Sequence, residues 1–69
     1  MYNLSEFDVL EIIDKAVAFG VETLNGEKNT LALQIAAFWI EGYIEGRKNE
    51  ITEDDIRSLR ATMKNYYFI

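Results

Sequence analysis

The sequence predicts an all-α protein, a three-helix antiparallel array over about residues 6–24, 31–45 and 53–66 that is completed as a homodimeric helical bundle. Three observations predict it. Apolar residues recur at helical spacing in each of these segments, a capping residue precedes each one, and the chain has no Pro to interrupt a helix. The 69 residues are expected to form a single helical domain spanning 1–69, because so short a chain supports one core.

The first predicted helix begins after Ser5, a good N-cap, with Asp8 at the position where a capping box places an acid. Its apolar residues cover an arc of roughly 200° on a helical wheel. Gly20 weakens the last turn, so we expect the helix to kink or fray there. The pair Asn25-Gly26 is expected to end the helix, with one of the two residues in the left-handed conformation.

The second predicted helix has almost no polar side. Between Leu31 and Ile44 only Gln34 and Glu41 are strongly polar, which leaves an apolar arc of roughly 260°. Asn29 or Thr30 can cap its start. Gly46 is the expected stop. A helix this apolar must be covered on several sides, and a short chain has few residues with which to cover it.

The third predicted helix has the clearest start. Thr52 is the expected N-cap, Asp55 completes a capping box, and acidic residues fill the first turn, where the helix dipole favours them. Its apolar stripe is only about 100° wide, as in an ordinary outer helix. The ending Tyr66–Ile69 is unusually apolar for a terminus, so we expect it to pack on the first helix or on a partner.

Self-association is expected because a chain of about 60 residues buries only about 60% of its unfolded surface and usually needs a further source of stability. The chain has no Cys for disulfides, and it has no His, the commonest metal ligand. Oligomerisation is the remaining solution. We expect the first and third helices to cover the Leu31/Ile35/Phe38 and Leu33/Ile40/Ile44 flanks of the second. Between these flanks lies a strip of the second helix that neither neighbour covers. This strip and one C-terminal aromatic residue form the predicted interface with another molecule: Ala32, Ala36, Trp39, Tyr43 and Tyr67.

No pattern in the sequence supports chemistry. Without His or Cys, no Ser/His/Asp or Cys/His arrangement can form. The pair Glu41 and Glu45 lacks the His or facing carboxylates of a bundle metal site. The acids around the start of the third helix do not have the spacing of a calcium loop, and the glycines do not form a phosphate loop. We therefore expect no enzyme activity, no catalytic residue, no metal and no cofactor.

The partners expected from composition are proteins: a second copy of the chain and, in addition, another protein. A net charge of −5 argues against nucleic acid and anionic membranes. No apolar stretch reaches the roughly 20 residues of a membrane span, and no signal peptide is evident, so a cytoplasmic location is expected. The function predicted is that of a regulatory or assembly subunit.

Two alternatives stay open. The acidic face of the first helix could occupy a basic, nucleic-acid-binding groove of another protein, since its residues Asp8, Glu11, Asp14 and Glu22 could imitate a phosphate backbone. A DNA-binding regulator could instead use Arg57, Arg60 and Lys64 of the third helix. The acidic start of that helix, where recognition helices touch bases, disfavours this second alternative.

Overall fold

Three α-helices and no strands make up the described part of the chain, residues 4–65 of a computed structural model. They are α1 (Glu6–Thr23), α2 (Thr30–Arg47) and α3 (Glu53–Asn65). The predicted all-α, three-helix fold is confirmed. The C-terminal segment predicted to pack down, residues 66–69, lies outside the described residues, and so does the predicted interface residue Tyr67.

The helix starts follow the predicted capping residues. In α1 the Ser5 hydroxyl accepts a hydrogen bond from the Asp8 amide (3.0 Å), and the Asp8 carboxylate accepts one from the Ser5 amide (3.2 Å). Asn29, one of the two predicted caps of α2, accepts from the Ala32 amide at 3.0 Å. These bonds satisfy amides that have no partner within the helix, which is why the helices begin there.

The start of α3 is tied to the start of α1. Thr52 and Asp55 form the predicted capping box, with both hydrogen bonds at 3.1 Å. The second oxygen of the Asp55 carboxylate accepts from the Leu4 amide at 3.0 Å, a contact that the sequence did not predict. Asp55 is only 5% exposed, so its two amide partners are what make burial of the carboxylate tolerable.

The helix ends differ from prediction in two details. Both Asn25 (φ 57°) and Gly26 (φ 91°) are left-handed, where one was expected. The Gly26 amide bonds to the Val21 carbonyl at 2.8 Å and the Asn25 amide to the Glu22 carbonyl, the pattern of a Schellman end. Gly46 does not stop α2, which continues to Arg47.

The helices alternate in direction around one core. Gly20, near the end of α1, lies against Ala32 and Ala36 in the first half of α2, while Leu4 shares a groove with Tyr43 and Arg47 near its end. α3 then returns along α2. The core between them contains the following buried residues: Val9, Ile12, Ile13, Ala16, Ala36, Ile40, Ile44, Ile51, Leu59 and Met63.

α1 continues through Gly20 to Thr23, so the fraying expected at Gly20 does not occur. Gly20 is buried, and a Cβ atom built at this position would overlap the Ala32 carbonyl oxygen and lie 3.0 Å from the carbonyl carbon. The absence of a side chain lets the α1 backbone approach α2 closely. The packing gained at this crossing explains why a residue of poor helical propensity is retained inside the helix.

Candidate protein interaction surface

The predicted interface residues do not share one free surface. Ala32 and Ala36 are completely buried, at the contact of α2 with α1. The physical reason is their size, since the smallest residues on a helix allow the closest approach of a neighbour, and α1 brings Gly20 to meet them. Neither side chain is accessible to a second molecule in this conformation. Trp39 and Tyr43 are half-buried and pack against the core from its edge.

Trp39 and Tyr43 form an aromatic column along one side of α2. Their rings stack with centroids 5.7 Å apart and planes inclined by 24°. The guanidinium of Arg47 lies over the Tyr43 ring, 4.1 Å from its centroid, in cation–π geometry. Because these residues are spaced by four, the column follows a single ridge of the helix. It borders the open groove between α1 and α2 that Ile12, Lys15 and Tyr43 line.

The exposed apolar surface of α2 is the Leu31/Ile35/Phe38 flank, which was expected to be covered by another helix. Phe38 is 79% exposed and Leu31 53% exposed, with Ile35 half-buried between them and Gly42 exposed beyond. We call these four residues the outer strip. α1 and α3 pack against the opposite side of α2, which carries Ala36, Ile40 and Ile44. The expectation that other helices would cover Leu31 and Phe38 is therefore not met.

Phe38 is the most exposed large apolar side chain among the described residues. It forms one wall of an open groove with Gln34, Ala37 and Glu41. Single exposed apolar residues are common on soluble proteins, but a row of them along one helix is a feature of interaction surfaces. A signal for this row was present in the sequence, because the strip has the 4-3-4 spacing of a helix–helix seam.

Two of the three basic side chains on α3 are paired with carboxylates. Arg60 binds Glu41 of α2 through two hydrogen bonds, 2.8 and 2.9 Å long, and these lower the pKa of Glu41 below its ordinary value. Arg57 binds Asp54 at 2.9 Å. The pairing reduces the positive charge that this face offers, and DNA binding through Arg57, Arg60 and Lys64 stays an untested prediction.

The acidic face of α1 also has internal partners. Asp8 is part of the N-terminal cap, and Glu11 lies 3.8 Å from the ammonium of Lys15. Both members of the Glu11–Lys15 pair are exposed, so it contributes little to stability and leaves the carboxylate accessible. The alternative of an acidic inhibitor likewise stays a prediction.

Within residues 4–65 no three potential ligands among the Asp and Glu side chains come close enough together to hold a metal ion. In the same range no helix has the length and apolar character needed to cross a lipid bilayer. The candidate interaction surface is the outer strip of α2, where Leu31 and Phe38 are exposed. Comparison of the sequence with protein-family models gives no match, and searches of curated proteins and solved structures likewise give none.

Proposed function

We propose that this chain is a non-enzymatic protein–protein interaction module that acts as a homodimer, in the role of a regulatory or assembly subunit. The observation that carries the proposal is the outer strip of α2, where Phe38 is 79% exposed beside Leu31 and Ile35. Full burial of one such side chain contributes about 1.5–3 kcal/mol, so a partner that covers the strip gains substantial binding energy.

A small core adds to the argument. A chain of about 60 residues buries only about 60% of its unfolded surface, and this chain has no disulfide to compensate. Among the described residues the buried side chains of α2 are small or aliphatic, whereas its large Phe faces solvent. Association with a second copy would bury that apolar area and so add stability that a chain of this length cannot obtain from its own core.

Light scattering coupled to size exclusion tests the proposal, over loading concentrations from about 2 to 200 μM, which bracket a micromolar dissociation constant. The protomer mass is 8.0 kDa, so the measured mass should approach twice that value as concentration rises. A mass that stays at the protomer value throughout would contradict the homodimer.

Phe38→Glu is the informative variant, with Phe7→Glu as its matched control. Phe7 is 71% exposed on α1, so both substitutions replace an exposed Phe by Glu. We expect Phe38→Glu to weaken the dimer by at least about 100-fold, because the residue occurs twice in a symmetric interface. Helicity by circular dichroism should be unchanged in both variants. Dissociation by Phe7→Glu alone would assign the interface to α1 instead.

A further inference from the structure

The outer strip has an exposed charged residue near each end. Within α2 its spacing continues to Glu45, so that five positions recur at alternating intervals of four and three residues: Leu31, Ile35, Phe38, Gly42 and Glu45. This is the 3.5-residue repeat of a seam between two coiled helices. Lys28 lies near the other end, in the loop just before the N-cap Asn29, whose backbone is extended, and it is therefore outside the helix.

The 4-3-4 spacing of the outer strip reads the same in both directions. A two-fold axis between positions 36 and 37 therefore superimposes the outer strip on a reversed copy of itself. In that arrangement Leu31 faces Gly42 of the second copy and Ile35 faces Phe38. Antiparallel helix pairs form such layers, and a two-fold axis makes each layer occur twice.

The charges at the two ends favour the antiparallel orientation. It brings the loop that carries Lys28 of one copy next to the end of α2 that carries Glu45 of the other, at both ends of the seam. A parallel pair would instead place Glu45 of one copy beside Glu45 of the other. Like charges that face each other destabilise an interface. Glu45 already binds Lys48 at 3.1 Å, but both side chains are at least 60% exposed, and exposed pairs of this kind are exchanged with little loss.

Gly42 supports the same arrangement, because the fold of the single chain does not require it. A Cβ atom built at this position meets no other atom within 4 Å, as at Gly46 and in contrast to Gly20. Of the two open positions in α2, only Gly42 lies on the outer strip. Glycine inside a helix is less stable than alanine. In the antiparallel arrangement, the missing side chain at Gly42 leaves a recess into which the large Leu31 side chain of the second copy packs. This packing would explain the glycine.

From these observations we propose that the outer strip of α2 binds the outer strip of a second copy in antiparallel orientation, with Leu31 against Gly42 and Lys28 beside Glu45. This inference rests on the proposed homodimer and specifies its geometry. The 18 residues of α2 are about 27 Å long, and one helix pair of that length buries less than the roughly 800 Å² per partner of a standard interface. We therefore expect a dimer in equilibrium with monomer.

Disulfide trapping tests the orientation, and the chain has no native Cys to interfere. Leu31→Cys and Gly42→Cys are oxidised mildly, each alone and as an equimolar mixture, and the products are identified by intact mass. The antiparallel seam predicts that the mixed disulfide forms in at least about five-fold higher yield than either variant gives alone, because bond formation requires neighbouring Cβ atoms. Ala18→Cys, exposed on α1, is mixed with Gly42→Cys as the control and should give background yield.

Each outcome has a distinct meaning. Efficient disulfides from each variant alone would overturn the antiparallel orientation in favour of a parallel one. A dimer by light scattering with no trapping above the Ala18→Cys control would overturn the seam and leave the homodimer standing. A monomeric wild-type chain at all concentrations would remove both.

A charge exchange provides a second readout that needs no cysteine. Lys28→Glu and Glu45→Lys should each weaken the dimer, because each places like charges together at both ends of the seam. The double variant should regain the wild-type dissociation constant to within about three-fold, since it restores the pairing in reverse. Double-variant binding as weak as that of the single variants would contradict the predicted contact.

Discussion

Gly20→Ala tests the packing of α1 on α2 with a single added carbon. The new Cβ would overlap the carbonyl oxygen of Ala32 and lie 3.0 Å from its carbonyl carbon and 3.4 Å from the Ala36 amide nitrogen. All three atoms belong to the backbone, so no side chain can rotate to make room. The two helices must separate locally by roughly 1 Å to accept the methyl group.

The cost of that separation can be worked out in order of magnitude. A gap of 0.5–1 Å forfeits about a quarter to a half of each van der Waals contact across it. Overpacking typically costs about 1–3 kcal/mol. We take the upper value here because the overlapped atoms are backbone and cannot rotate away. Exchange of a helical Gly for Ala returns about 1 kcal/mol. We therefore expect a net loss of about 2 kcal/mol from a total stability of roughly 3–10 kcal/mol for 69 residues.

Urea unfolding followed by circular dichroism, at a concentration low enough to exclude dimer, measures the loss. Gly46→Ala is the control, because its Cβ would meet nothing within 4 Å and its backbone is helical. It should gain up to about 1 kcal/mol. Thus the same substitution should have opposite signs at the two sites. Equal or greater stability of Gly20→Ala than of the wild type would refute the close crossing of α1 and α2.

Two further predictions concern carboxylates that join helices. Asp55→Ala should lower the free energy of unfolding by about 2–4 kcal/mol in urea titrations, because the Leu4 and Thr52 amides lose a charged acceptor, whereas the exposed Asp54→Ala should change it by less than about 0.5 kcal/mol. Glu41→Gln should lower the thermal midpoint at pH 7, and its deficit should shrink as the pH falls below 4.5 and vanish once Glu41 is protonated in the folded chain. The lowered pKa of Glu41 means that its stabilisation exists above the unfolded value of 4.5 and is lost as pH falls through the folded one. A deficit that persists in acid would contradict this assignment.

The helix starts could be predicted from sequence because their determinants are local. The Ser5–Asp8 and Thr52–Asp55 boxes each involve residues three apart, and both hydrogen bonds of each box are present in the structure. Nothing in a window of that length reports that the Asp55 carboxylate also reaches the Leu4 amide, 51 residues away. That contact depends on how the three helices are arranged.

The covered side of α2 could not be predicted because its apolar arc is too wide to point in one direction. An arc of about 260° leaves no clear polar face from which to infer the inside. Side-chain size determines which side of α2 packs against α1, because Ala32 and Ala36 allow α1 to approach most closely when Gly20 is opposite them. The larger Leu31 and Phe38 were left outside.

The arrangement of α2 links the stability of the fold to association. The side of α2 that is covered carries small and aliphatic residues, and the uncovered side carries Leu31 and Phe38, each of which could contribute about 1.5–3 kcal/mol if fully buried. For a domain whose entire stability is roughly 3–10 kcal/mol, that amount is comparable with the whole. If a second copy covers the outer strip, it binds only the folded chain, and mass action then adds its binding energy to the stability of the fold. Gly42 inside α2 and the exposed Phe38 both make the single chain less stable than it would be with alanine at position 42 and a polar residue at position 38. The proposed dimer accounts for both residues, because Phe38 is buried and Gly42 accommodates Leu31 of the second copy.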